Sequence, residues 1–280
     1  MVRALKSIGV PFADGNSIVL LPSGQEKFDD MFAAIRQARH YVHLEYFNFR
    51  RDSIGRAVFR LLCDKAREGV RVRVLFDSWG NVSNDRPVRD SFVDSVRNSG
   101  VEVGEFDRMR FPWINHAYHR DHQKIVVVDG AIAYAGGMNV ADYYIHGKPE
   151  FGRWRDMHFR LEGGAVALYE ELFATMWLKV SQQDIDSLTG RVLTPPEAFT
   201  GLRPDTSSTR GHITVGVAQR VPLDRPAMMR DVMTAMMDMA QRRIVIVNPY
   251  FTPVRQVTRA LKRALKRGVK VDIMVSQKCD

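Results

Sequence analysis

The chain has little cysteine and no long apolar run. Cys63 and Cys279 are the two cysteines in 280 residues. They are too few and too far apart for the disulfide framework of a small secreted domain, so both read as free thiols of a reducing compartment. Nowhere do about twenty apolar residues follow one another, the length that a membrane-spanning helix requires. The first ten residues are too short and too interrupted by charge to read as a secretory signal. Acidic residues are the scarcer charge: 32 Asp and Glu stand against 41 Lys and Arg, a formal net charge of +9. That balance favours an anionic partner, whether nucleic acid, an acidic lipid surface or a phosphorylated substrate. With 45% hydrophobic residues, the chain can bury a sizeable core as one large domain or two ordinary ones.

Strand and helix periods alternate along the first two thirds. Residues 17–21 read as a short strand, and 25–38 place Phe28, Met31, Phe32 and Ile35 at helical spacing. A second strand at 41–47 is followed by an amphipathic helix over 54–68, stopped by Gly69, and by a strand at 70–76. This order predicts an α/β fold with a mainly parallel sheet flanked by helices. A helix over 86–99, a strand over 101–106, a basic and aromatic stretch over 108–113, a strand over 154–161 and a helix over 164–179 continue the pattern. Residues 181–211, rich in Ser, Thr, Pro and Gly, read as a linker. The expected division is a first domain at 1–180, the linker at 181–211, and the beginning of a second domain at 212–280. A helix over 226–241 carries Met228, Met229, Met233, Met236, Met237 and Met239, which read as core packing. Residues 240–251 repeat the pattern of 38–49, and 267–274 that of 68–75, with three residues fewer between the strands. The chain thus begins a second copy of its first strand–helix–strand unit.

The chemistry concentrates between the copies. His122, Lys124 and Asp129 spell H-x-K-x4-D, and Gly136, Gly137 and Asn139 spell G-G-x-N. The β-branched run 125–128 predicts a strand over 121–128, a turn at Asp129 and Gly130, and a returning strand over 131–138. Alternation puts His122 and Lys124 on one face. A two-residue loop sets Gly137 opposite His122 and Ala135 opposite Lys124, small partners that leave room for a tetrahedral anion beside an imidazole, an ammonium and Asn139. Asp129 falls on the other face, roughly 16 Å along the strand from Lys124, and reads as a turn residue. His116, His119 and His122 recur every third residue, which invites a metal, but no helical pattern precedes Asp121 to bring the three together.

These residues resemble the phospholipase D superfamily, and within it bacterial cardiolipin synthases. The likeness is carried by H-x-K-x4-D with G-G-x-N, by residues 43–49, by Trp154 to His158 and by Asn248 to Pro253. The resemblance implies two such motifs facing each other, one histidine attacking a phosphodiester to form a phosphohistidine and the other protonating the leaving alcohol. By motif position His122 matches a catalytic histidine, nucleophile or acid. Lys124, Asn139 and Gly137 match the phosphate-binding positions, with Gly136 and Asp129 as motif and turn residues. Asp156 matches an acidic position suited to holding the imidazole in one tautomer, and Glu45 is a second candidate. No cofactor or metal is implied, because lysine and asparagine supply the charge stabilisation.

The expected substrate is an anionic, phosphatidylglycerol-like phospholipid, met at the cytoplasmic side of a membrane by a peripheral protein. The expected reaction is phosphatidyl transfer to an alcohol. With water as acceptor the same intermediate would make a phospholipase or a nuclease, and nucleic acid would then be the partner. With one motif in 280 residues, an inactive or lipid-binding remnant, or a dimer that pairs two histidines, are the further readings.

Overall fold

A computed structural model describes residues 1–108, 120–150, 152–186, 211–219 and 227–276 of the chain. The elements are α1 (Val2–Lys6), β1 (Phe12–Leu21), α2 (Gly24–Gln37), β2 (Tyr41–Tyr46), α3 (Ser53–Arg67), β3 (Arg71–Asp77), α4 (Ser78–Val82), α5 (Asp90–Arg97), β4 (Glu102–Phe106), β5 (Lys124–Val128), β6 (Ile132–Gly136), α6 (Tyr143–His146), β7 (His158–Glu162), α7 (Val166–Asp186), β8 (Ile213–Gly216), α8 (Ala227–Met239), β9 (Arg243–Val247), α9 (Arg255–Lys266) and β10 (Lys270–Met274). They divide into two compact units, residues 13–215 and residues 1–12 with 216–280. Most of the linker expected at 181–211 lies outside the described residues. Its first six residues are the end of α7.

The first unit is an α/β sandwich around an eight-stranded sheet in the order β4-β3-β2-β5-β6-β7-β1-β8. The parallel expectation holds for β2–β3 and β3–β4. From β2 onward the β5, β6, β7 and β1 pairings are antiparallel, so the sheet is mixed rather than mainly parallel. For β5 and β6 the reason is local: a tight turn joins them, and a parallel pair would need a crossover, while residues 137–157, with α6, lead from β6 to β7. β2 and β5 are buried along their whole length, as strands covered on both faces must be. On one face Val42, Leu44, Tyr46, Val72, Val74, Val126 and Tyr134 join α2 and α3 in the main core. On the other face Tyr41 and His43 meet α7, with the His43 ring stacked on Phe173 at 4.5 Å and its Nδ1 at 2.7 Å from Glu170 Oε1.

Helix starts follow capping chemistry. Ser23 accepts the Glu26 N–H at 3.2 Å while its hydroxyl donates to the Glu26 carboxylate at 2.8 Å, a side-chain N-cap at the start of α2. Asp52 caps α3 through Gly55 N–H at 3.1 Å.

In the second unit, Leu5, Val10 and Val232 pack with Phe12, Ala218, Met228, Ala235 and Met239. The methionines of α8 are therefore divided, since Met233 and Met236 are exposed. β9 and β10 form a parallel pair. The repeat aligns Tyr41 with Arg243 and Arg71 with Lys270, and the structure pairs Tyr41 with Arg71 and Arg243 with Lys270. The shorter helix of the second copy absorbs the missing residues without shifting the register.

Candidate active site

The expected hairpin is present with a different register. Asp129 and Gly130 adopt positive φ of 51° and 64°, the pair that a type I′ turn requires, and Ala131 N–H closes the turn on the Val128 carbonyl at 3.0 Å. Ala131 is then left out of the ladder, and Val128 pairs with Ile132 and Ile125 with Ala135. One bulged residue moves every partner by one. The expected pairs Gly137 with His122 and Ala135 with Lys124 do not form. β5 begins at Lys124 and β6 ends at Gly136, so His122 and Gly137 stand just beyond the ladder.

His122 and Lys124 nevertheless meet. Lys124 Nζ lies 3.1 Å from His122 Nδ1 and donates to the His122 carbonyl at 2.6 Å. The Phe47 ring packs on the imidazole with centroids 4.6 Å apart and sits 5.5 Å from the ammonium. His122 keeps an exposed side, while Lys124 is buried. Burial first and Lys124 second lower His122 to about 4. Burial also lowers Lys124 to about 8, against the opposing pull of Asp121, Asp156, Asp77 and Glu45. At neutral pH the pair is thus a neutral imidazole beside an ammonium.

Asn139 is buried, its Oδ1 accepting from Asn48 N–H and its Nδ2 reaching Tyr144 Oη, both at 3.4 Å. Asp156 lies ahead of β7, which starts at His158 rather than at 154. Its Oδ1 accepts from Met157 N–H at 2.7 Å, and burial raises its pKa. Among the described residues the Nδ1 of His122 is contacted by Lys124 and not by a carboxylate. The bare Cα of Gly137 is used by Asp156, whose carboxylate occupies the space a Cβ would need, and that of Gly136 by the backbone of Met157 and His158. Asp129 is a staple: its carboxylate accepts the N–H groups of Arg39, His40 and Tyr41, each at 2.8 Å. His116 and His119 lie outside the described residues, as does nearly all of the basic and aromatic stretch.

Of the layer underneath, sequence reasoning named Glu45 as a partner for the imidazole and missed the rest, and Glu45 instead meets Asp121 and Gln123. Glu45 and Asp121 are fully buried, and their Oε2 and Oδ2 have no hydrogen-bond donor. The two carboxyls face each other, and burial together with Asp121 raises Glu45 well above the usual range, so the pair shares a proton. Gln123 Nε2 donates to Glu45 at 3.0 Å, and Asp121 N–H donates to Asp77 at 2.8 Å. The segment bearing His122 is thus held from β2 and β3. Lys27 of α2, fully buried, donates to the carbonyls of Met138 and Asn139 at 3.1 and 3.0 Å and lies over the rings of Phe28 and Tyr46. Burial lowers its pKa well below that of a free lysine. A lysine on the apolar stripe of an amphipathic helix was the signal that could have revealed it.

The family description "Cardiolipin synthase, PLD-like domain" matches residues 31–177 and 233–280. The chain belongs to this cardiolipin synthase, PLD-like family. Among its relatives, a cardiolipin synthase of Geobacillus kaustophilus is 32% identical over 271 residues, covering 96% of this chain and 51% of that protein. One of Staphylococcus aureus is 34% identical over 266 residues, covering 95% and 51%. The chain therefore spans about half the length of the curated relatives it matches. The crystal structure of a phosphatidylserine synthase from Haemophilus influenzae Rd KW20 superposes with a TM-score of 0.67 at 16% identity, covering 98% of this chain and 65% of that one. At that identity the likeness speaks for the PLD-like fold alone. No helix among the described residues is long and apolar enough to cross a membrane.

Proposed function

We propose that this chain supplies one half of a phosphatidyltransferase site of the cardiolipin synthase type. The observation that carries the reading is the neutral imidazole of His122 held 3.1 Å from the Lys124 ammonium in a chain of that family. With no phosphate bound, Lys124 donates to Nδ1, which leaves the ring proton on Nε2. An arriving phosphodiester competes for the ammonium. As Lys124 turns to the phosphate oxygens, the ring proton passes from Nε2 to Nδ1 by exchange with solvent on the exposed side of His122, the Asp156 carboxylate accepts the Nδ1–H, and the Nε2 lone pair is left to attack. The P–N bond forms as the P–O bond to the leaving alcohol breaks. Asn139 and the backbone at Gly137 add neutral contacts to the phosphate, and a second lipid alcohol later takes the phosphatidyl group from His122.

The leaving alkoxide needs a proton from a second histidine. The 280 residues carry one H-x-K-x4-D, so that acid comes from another motif, in the same polypeptide or in a second copy. The substrate is an anionic phospholipid, met at a membrane surface by a peripheral protein on the cytoplasmic side, and residues 212–280 are the beginning of a second domain of the same kind.

An aryl phosphodiester, whose nitrophenolate leaves without protonation, separates the two halves of the chemistry. We expect one nitrophenolate per chain in a burst, with acid-labile phosphate on His122, and little turnover of phosphatidylglycerol. His122→Ala should reduce the burst by at least about a thousandfold. Absence of the burst overturns the nucleophile assignment, and robust phosphatidylglycerol turnover by the 280 residues overturns the half-site reading. Nicked plasmid DNA with untouched lipid would favour a nuclease.

A further inference from the structure

A second cluster of charge lies on the rim that carries the catalytic pair. β5 is antiparallel to β2 and places Lys124 beside Tyr46, so the site opens where β2 and β3 run out into loops. There Arg51, Arg86 and Arg89, with Asp85 and Pro87, line a cavity of about 260 Å³. The loop is held by its own polar groups. Asn81 accepts from Val88 N–H and donates to Val88 O, both at 2.8 Å. Asn84 accepts the Arg86 N–H at 2.8 Å, and Arg51 N–H donates to the Arg86 carbonyl at 2.9 Å. The one carboxylate, Asp85, is engaged by Arg50 at 2.7 Å. The guanidiniums of Arg51, Arg86 and Arg89 have no acidic partner among the described residues.

Three uncompensated guanidinium forks around one small cavity suit a tetrahedral, doubly liganded anion such as a phosphate. What precedes them in the chain narrows the source. Trp79 and Val82 of α4, whose Asn81 holds Val88 of the arginine loop, are 42% and 55% exposed, and tryptophan, aliphatic and arginine side chains together are the composition of a membrane interface. α4 is also joined to the catalytic segment. Asp77 caps it through Gly80 N–H at 2.9 Å and accepts Asp121 N–H at 2.8 Å. Phe47, which packs on His122, lies with its backbone against Gly80.

We propose that Arg51, Arg86 and Arg89 bind the phosphate of an anionic phospholipid headgroup in the bilayer, with Trp79 and Val82 inserted beside it, so that the rim of the catalytic cleft docks on the membrane. The proposal rests on the reading that the substrate is a phospholipid. Its test uses binding, and the nitrophenolate burst tests the chemistry separately.

The purified chain is sedimented with phosphatidylcholine vesicles with and without phosphatidylglycerol. Replacing Arg51, Arg86 and Arg89 together by Gln should weaken binding to the anionic vesicles about a hundredfold, at roughly fivefold per arginine near an anionic surface. The burst at His122 should be unchanged. Replacing the same three by Lys keeps the charge without the forks and should recover only part of the binding, and Trp79→Ala should weaken binding to vesicles of both compositions. Wild-type binding by the Gln variant overturns the proposal. So does a Gln variant that loses affinity for inorganic phosphate or plasmid DNA while its vesicle binding is intact.

Discussion

The two strand–helix–strand copies share a sequence pattern and a pairing register, yet only one of them is an interior. β2 and β3 are buried from Tyr41 and Val72 onward, whereas β9 and β10 keep exposed positions along both strands. The aligned residues diverge accordingly. His43, Glu45 and Arg73, all fully buried, correspond to Val245, Val247 and Asp272 of the second copy, and Val245 and Val247 are 56% and 69% exposed. Local pattern is thus sufficient to pair two strands around a helix. It does not make a site. The first copy became one because α7, β5 and the segment 120–124 brought partners for its buried polar groups.

Matched substitutions in the two copies would break this comparison most sharply. Leu44, fully buried, corresponds to half-buried Ile246. Leu44→Ala should destabilise the first unit by about 3 kcal/mol, and Ile246→Ala should change stability by less than about 1 kcal/mol. Denaturant unfolding measures both, and equal losses would mean that the second copy is as deeply packed as the first.

Burial also predicts a pH profile that an exposed copy could not have. His122 is neutral above about 4, so burst formation should rise as pH increases through that value. Lys124 keeps its charge below about 8, so the burst should fall as pH increases through 8. A rate still climbing between pH 6 and 7, where an unshifted imidazole titrates, would contradict the assignment.

The smallest effect concerns helix entry. α3 is capped by Asp52, while α9 has Val254 at its N-cap and no side-chain cap. Val254→Asp should raise the melting temperature slightly, for a gain of about 0.5–1 kcal/mol. No change would mean that the start of α9 is already satisfied.

What could be read in advance was what depends on neighbours in sequence. The H-x-K spacing, the turn at Asp129 and Gly130 and the repeat all rest on contacts a few residues long, and they are present. The pairing across the hairpin hinged on one bulged residue, Ala131, that no propensity distinguishes from a paired one. The late start of β7 moved Asp156 off the sheet. Lys27 and the Glu45–Asp121 pair were invisible as a group, because α2, β2 and the segment before β5 meet only when the sheet closes. A lone lysine or carboxylate in an apolar run signals a buried partner without saying which.

The staple formed by Asp129 bears on the order in which the molecule can be built. β5 is tied at one end to the backbone of Arg39, His40 and Tyr41, and at the other to Glu45 and Asp77 through residues 121–123. All of these anchors belong to segments synthesised earlier. The strand that delivers Lys124 is therefore expected to dock onto a β2–α3–β3 unit already in place, with closure of that long loop as the slow step. During synthesis the residues of β2, α3 and β3 emerge first, so the His122–Lys124 pair is expected to assemble only once β5 has docked on them.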